Sequence, residues 1–262
     1  MRYETIILER EESGLTRLTL NRPEKHHAFD ATMISELHHA ADQIAADEAC
    51  HSVLIASDGP SFCAGGDLGW MKAQFEADRA GKMAEARKLA MMLKAFHDLD
   101  KPVICRVQGQ AFGGGLGLMA VSDIVVASSD ARFALTETKL GLIPATIGPF
   151  VIAKIGGAAA RSVFITGSMM STARAERLGL VSIAVDHEGL DDAVQKEVKT
   201  ALTAAPGAMA RAKEMLRMIT SPTLDQEIDQ AIIHLADCWE SDETVAGITA
   251  FFNKEKAGWI KD

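Results

Sequence analysis

The chain has 262 residues, 48% of them hydrophobic and 24% charged, with a formal net charge of -9. That composition belongs to a globular protein long enough to bury a sizeable core. An acidic balance without a long Lys/Arg run disfavours nucleic acid or an acidic membrane surface as the principal partner, while leaving an anionic small molecule open.

Four scattered cysteines, Cys50, Cys63, Cys105 and Cys238, form no CxxC pair, which points to free thiols in a reducing compartment. The opening residues MRYETIILEREESG run straight into an alternating strand pattern and lack the apolar stretch of a signal peptide. No segment reaches the roughly 18 uncharged apolar residues of a membrane span. A soluble, cytoplasmic protein is expected.

In chain order, residues 5–10 and 15–20 read as a hairpin joined by EESG. Asp30 can cap a helix whose apolar stripe is Met33, Ile34, Leu37, Ala41 and Ile44. SVLIAS (52–57) reads as a buried strand and is followed by the loop DGPSFCAGGDL. A long helical region spans roughly 68–99, stopping before Pro102. VICRVQ (103–108) is a second buried strand, leading into QAFGGGLGL and a short helix, and DIVVAS (123–128) is a third. Strand, loop and helix recur with crossovers long enough for parallel pairing, so the class is α/β. Beyond about residue 145 only VSIAVD (181–186) reads as a strand, and helices dominate from Leu190 onward, with Pro206 and Pro222 expected in first turns. The reading is a core over 1–190 and a helical C-terminal region over 191–262.

Familiar phosphate and nucleophile signatures fail. GxxxxGK[ST] is missing, and GxGxxG is broken by Leu118 in its last glycine position. No GxSxG occurs. The histidine pairs His26-His27 and His38-His39 are adjacent in sequence and do not share a helix face, so no metal site is expected. Cys63 has no identifiable partner base and reads as a small buried thiol.

Two glycine loops remain, SFCAGGDL (61–68) and QAFGGGLGL (110–118), each after a buried strand. Parallel neighbouring strands would bring both to one sheet edge, where two backbone N–H groups could point at a single oxygen. Tight turns needing positive φ are the competing explanation. FALTETKLGLIPA (133–145) adds one carboxylate, Glu137, in an otherwise apolar setting. Such a group tends toward a raised pKa suited to proton transfer. Equally, it could pair with Lys139 or Arg132 at the surface.

NRPEKHHAFD (21–30), FCAGGDL (62–68), QAFGGGLGLMAVSDIVVAS (110–128) and FALTETKLGLIPA resemble the crotonase, or enoyl-CoA hydratase/isomerase, superfamily nearly end to end. The resemblance implies a spiral of ββα units, a C-terminal helical trimerisation region, and an acyl-CoA thioester as substrate. It implies no further cofactor, CoA being part of the substrate, and a homotrimer or dimer of trimers. By the same resemblance, Gly66 and Gly114 supply the oxyanion N–H groups and Glu137 is the acid/base. Ala64, Asp67 and Leu68 match the segment lining the acyl-CoA, and Lys25 and Ala28 the loop near the CoA nucleotide. Phe251 and Lys254 match positions where a neighbouring subunit covers the adenine.

One departure stands out: two-glutamate hydratases carry a second glutamate where this chain has Gly117. A lone base suits Δ3–Δ2 enoyl-CoA isomerisation, and a lost carboxylate also suits a non-catalytic acyl-CoA-binding protein. AGGDLGWMK, AFGGGLGL and TETKLGLIPATIGPFV together look most like bacterial 3-methylglutaconyl-CoA hydratases of leucine breakdown, which favours hydration.

Overall fold

The computed structural model describes residues 3–221 and 223–260. Strands β1 (Ile6–Arg10) and β2 (Leu15–Leu20) form the expected antiparallel hairpin, with Ile6 opposite Leu20 and Arg10 opposite Thr16. Helix α1 (Ala31–Ala46) starts at the predicted cap: the Asp30 carboxylate accepts the Met33 N–H at 2.8 Å. Its stripe of Met33, Ile34, Leu37, Ala41 and Ile44 is buried, as a 3.6-residue period requires for a face turned to the core.

Three strand–strand–helix units follow. Strand β3 (Ser52–Ser57) leads to β4 (Ser61–Cys63) and then α2 (Leu68–Glu76) and α3 (Arg79–His97). Strand β5 (Val103–Val107) leads to β6 (Gln110–Phe112) and α4 (Gly114–Val121). Strand β7 (Ile124–Ser128) leads to β8 (Arg132–Ala134), a 3-10 turn (Glu137–Leu140) and α5 (Gly148–Phe164). The first strand of each unit joins a six-stranded sheet, ordered β1-β2-β3-β5-β7-β10, and the second a four-stranded sheet, ordered β4-β6-β8-β9. Strands β9 (Met170–Ser171) and β10 (Ile183–Val185) complete the two, with α6 (Thr172–Arg177) between them. The architecture is thus the spiral of ββα units expected, with a helical C-terminal region.

Side chains of the large sheet alternate between two cores, as the period of two dictates. Val53, Ile55, Val103, Cys105, Val107, Val125 and Ala127 face the main core under α1, α3 and α4. Leu54, Ile104 and Val126 face the opposite way, onto Leu190, Val194 and Val198 of α7 (Leu190–Leu202).

Two expectations are revised. The helical region at 68–99 is two helices, because Ala77 is extended and Asp78 caps the second by accepting the Gly81 N–H at 2.8 Å. The small sheet was not anticipated as a sheet, since β4, β6 and β8 have only three residues each, too few to show a period. Pro206 opens α8 (Pro206–Thr220) as expected, while Pro222 lies outside the described residues.

The last two helices are α9 (Leu224–Trp239) and α10 (Asp242–Asn253). Helix α8 contributes no buried residue and is held instead by polar ties. Lys213 Nζ donates to the Lys101 carbonyl at 3.0 Å and to the Asp123 carboxylate. Arg217 donates to the Leu99 carbonyl and to Asp100 at 3.2 Å. Asp123 also accepts the Val103 N–H at 2.7 Å, joining α8 to the start of β5. Burial acts to lower the Lys213 pKa and Asp123 opposes it. Asp123→Ala is therefore expected to cost roughly 2 kcal/mol, because it strands a mostly buried ammonium. Denaturant unfolding, with hydrogen exchange on α8, checks this; an unchanged midpoint would show that α8 is held by something else.

Candidate active site

The two predicted glycine loops meet because β4 and β6 are parallel neighbours, Ser61 lying beside Gln110 and Cys63 beside Ala111. Segment 22–30 closes over the first loop. The Phe29 N–H donates to the Gly65 carbonyl at 2.7 Å, and the Asp67 N–H donates to the Phe29 carbonyl at 2.8 Å. Phe29 and Gly66 thus form an isolated parallel bridge.

Close approach explains the glycine triplet. Gly113 has φ +45°, a left-handed conformation that side chains disfavour. A β-carbon at Gly114 would lie 2.7 Å from the Phe29 ring, and one at Gly115 would lie 2.9 Å from the Cys63 Cβ. Neither distance is tolerable, so the loop has no room for alanine without displacement. Cys63 itself is fully buried, and that burial pushes its thiol up to about 12, in keeping with an inert core residue.

The result is a pair of unpaired donors. Neither the Gly66 N–H nor the Gly114 N–H donates to any group among the described residues, and both residues line one cavity of about 140 Å³. Gly113 and Glu137 line the same cavity. Glu137 Oε1 lies 3.6 Å from where a β-carbon of Gly113 would stand, so the carboxyl group is seated against the second loop.

Glu137 is held there by the 3-10 turn, which α10 buttresses: the Thr244 hydroxyl donates to the Gly141 carbonyl at 2.7 Å. The surface ion pair with Lys139 or Arg132 is not formed; both cations are exposed, and Glu137 Oε2 is buried with no hydrogen-bond partner among the described residues. Burial raises the Glu137 pKa to about 7, against a smaller lowering by its own backbone N–H. A carboxyl so placed can both accept and return a proton near neutral pH.

The remaining sequence-predicted residues divide. Ala28 and Ala64 lie beside the loops, the Ala64 N–H donating to the His26 carbonyl at 2.9 Å and the Ala28 carbonyl accepting from Arg22. Lys25 closes a short 3-10 turn in the same segment, and Leu68 is largely exposed at the start of α2. Asp67 does not line the cavity; it caps α2 by accepting the Gly69 and Trp70 N–H groups and pairs with Arg22. Burial acts to raise its pKa, but those N–H groups and Arg22 outweigh it and hold the carboxyl below its usual range. Phe251 and Lys254 sit at the C-terminal end of α10, outside the cavity lining, with Phe251 exposed and Lys254 in a left-handed cap.

Sequence reasoning missed Trp70, Gln74, Lys82, Leu235 and Trp239, which also line the cavity. The spacing of Trp70 and Gln74 on α2 would have marked a common face; nothing local marks Lys82 or α9.

A side chain at Gly117 would have to displace its neighbours. A β-carbon there would lie 2.8 Å from Leu93 Cδ1 and 3.0 Å from Ile147 Cγ2. Gly117→Glu should therefore overpack the core by about 1–3 kcal/mol rather than add an acid to the site. Thermal unfolding tests this; a variant as stable as the parent would show that Leu93 and Ile147 yield.

The chain matches the family described as Enoyl-CoA hydratase/isomerase over residues 10–262. It is 31% identical to the 1,2-epoxyphenylacetyl-CoA isomerase of Escherichia coli (strain K12) over 95% of both chains. It is also 31% identical to the crotonyl-CoA hydratase of Syntrophomonas wolfei over 99% of both. An enoyl-CoA hydratase structure from Shewanella pealeana superposes with a TM-score of 0.81 at 35% identity, covering 98% of this chain and 97% of that one. The protein belongs to the enoyl-CoA hydratase/isomerase family.

Proposed function

We propose that the protein adds water across the C2–C3 double bond of a 2-enoyl-CoA thioester, with Gly66, Gly114 and Glu137 as its catalytic groups. The observation that carries this reading is the pair of unpaired amide N–H groups in one small cavity with a carboxyl titrating near neutrality. The thioester carbonyl oxygen accepts from both amides. As water attacks C3, the π electrons move onto that oxygen, and the two N–H groups hold the enolate. Glu137, as carboxylate, takes the proton that water loses. The same carboxyl then delivers this proton to C2, so that one H and one OH have been added and Glu137 is again ionised. Each oxyanion donor of this kind contributes on the order of 10²–10³ in rate.

A single carboxyl suffices for both transfers, which accommodates the closed position at Gly117. The relative named as a crotonyl-CoA hydratase supports hydration. The finer reading, 3-methylglutaconyl-CoA in leucine breakdown, rests on the motif resemblance. Lys25, Ala28, Ala64 and Leu68 would cradle the CoA side. In a homotrimer or dimer of trimers, Phe251 and Lys254 would cover the adenine of a neighbour. The exposed Met215, Leu216, Met218 and Ile219 of α8 suit such self-association.

Glu137→Gln is expected to lower hydration kcat/KM by about 10²–10⁴. In the parent, kcat/KM should rise with pH through about 7, because protonated Glu137 cannot accept the water proton. Stopped assays with a 2-enoyl-CoA, and with its 3-enoyl isomer as control, check both. Full activity in the variant would remove Glu137 from the mechanism; isomerisation outrunning hydration would favour the isomerase instead.

A further inference from the structure

Phe29 touches both glycine loops, the first through its main chain and the second through its ring. Its N–H donates to the Gly65 carbonyl at 2.7 Å, and its carbonyl accepts the Asp67 N–H at 2.8 Å. In a parallel bridge of this kind, the residue between those two partners directs its own N–H and C=O to the opposite side. Gly66 is that residue. The pairing therefore turns the Gly66 N–H away from segment 22–30, where it has no partner among the described residues.

At the second loop, a β-carbon on Gly114 would lie 2.7 Å from Phe29 Cδ2 and 2.8 Å from Phe29 Cε2. The third nearest atom, also of Phe29, stands at 3.6 Å, an ordinary contact. Gly114 is not among the glycines with positive φ. It opens α4, where alanine would lose less backbone entropy than glycine. The Phe29 ring alone thus excludes a side chain at position 114.

Phe29 is itself anchored from both directions. Arg22, its side chain only 14% exposed, pairs with Asp30 at 3.0 Å and with Asp67 at 3.4 Å. His27 Nε2 lies 2.8 Å from the Asp58 carbonyl oxygen, and the His26 carbonyl accepts the Ala64 N–H. We infer that Phe29 is a positioning residue for the oxyanion hole: its main chain turns the Gly66 N–H, and its ring sets how far Gly114 stands from Gly66. This role rests on the hydration reading above. An oxyanion donor acts at about 2.7–3.1 Å from the charged oxygen, so a small displacement of α4 takes Gly114 out of reach.

A double-mutant cycle on positions 29 and 114 tests this, read by kcat, KM and the urea-unfolding midpoint. Gly114→Ala keeps the N–H but collides with the ring; it should lower the midpoint and reduce kcat about 10²–10³-fold with little change in KM. Phe29→Val should lower kcat about tenfold or more, again with KM little changed. In the Phe29→Val background the β-carbon has room. Adding Gly114→Ala there should cost less than about threefold in kcat and leave the midpoint unmoved. Equal cost of Gly114→Ala in the two backgrounds, by either readout, overturns the role of the ring. A Phe29→Val variant that raises KM at unchanged kcat makes Phe29 a substrate contact and overturns it too. If Phe29→Val does not fold, Phe29→Leu, which lacks the ring edge, takes its place in the cycle. A parent that hydrates no 2-enoyl-CoA sinks the hydration reading and this role with it; an active parent with an additive cycle sinks the role alone.

Discussion

Everything in the site depends on the Glu137 carboxyl being kept away from water and from any cation. A surface glutamate would be ionised at neutral pH but a weaker base, less able to take a proton from water. Here Oε2 is buried without a partner among the described residues, and burial brings the group to about 7. Desolvation does this, with no second carboxylate contributing among the described residues. The cost falls on stability. A carboxyl raised from 4.5 to about 7 is neutral in the fold at a pH where the unfolded chain has ionised it. The native state therefore loses ground as pH climbs from the lower value through the higher one.

The fold supplies the opposite wall of the same interaction. Each spiral unit places its first strand in the large sheet and its second in the small one, so consecutive units end their short strands side by side. Two loops from different units then line one space, with Gly66 on one and Gly114 on the other. Phe29 and Cys63 pack directly against Gly114 and Gly115, which fixes the loop without side chains of its own. The packing of α10 on the Glu137 turn ties that carboxyl group to the C-terminal helices. Backbone donors rigidly held in this way need no reorganisation when charge develops on the bound oxygen.

Much of this was legible in the sequence. The Asp30 cap, the buried strands at 52–57 and 103–108, and the two glycine loops carry local signals, and Gly66, Gly114 and Glu137, grouped by the motif resemblance, line one cavity. What escaped was non-local. Strands of three residues have no period to detect, and Ala77 breaks a helix whose apolar spacing continues on either side. Lys139 lies two residues from Glu137 and invited an ion pair, yet residues two apart in a helical turn do not face each other. Lys82 and Trp239 are 157 positions apart, and only the packing of α3 on α9 brings them together.

The most direct test is to titrate Glu137 itself, by infrared difference spectroscopy of the protonated carboxyl band between the parent and Glu137→Gln across pH 4–9. A band that persists through pH 6 and disappears with a midpoint near 7 is the predicted result. A midpoint between 4 and 5 would mean a hydrated, ordinary carboxylate, and would contradict the account.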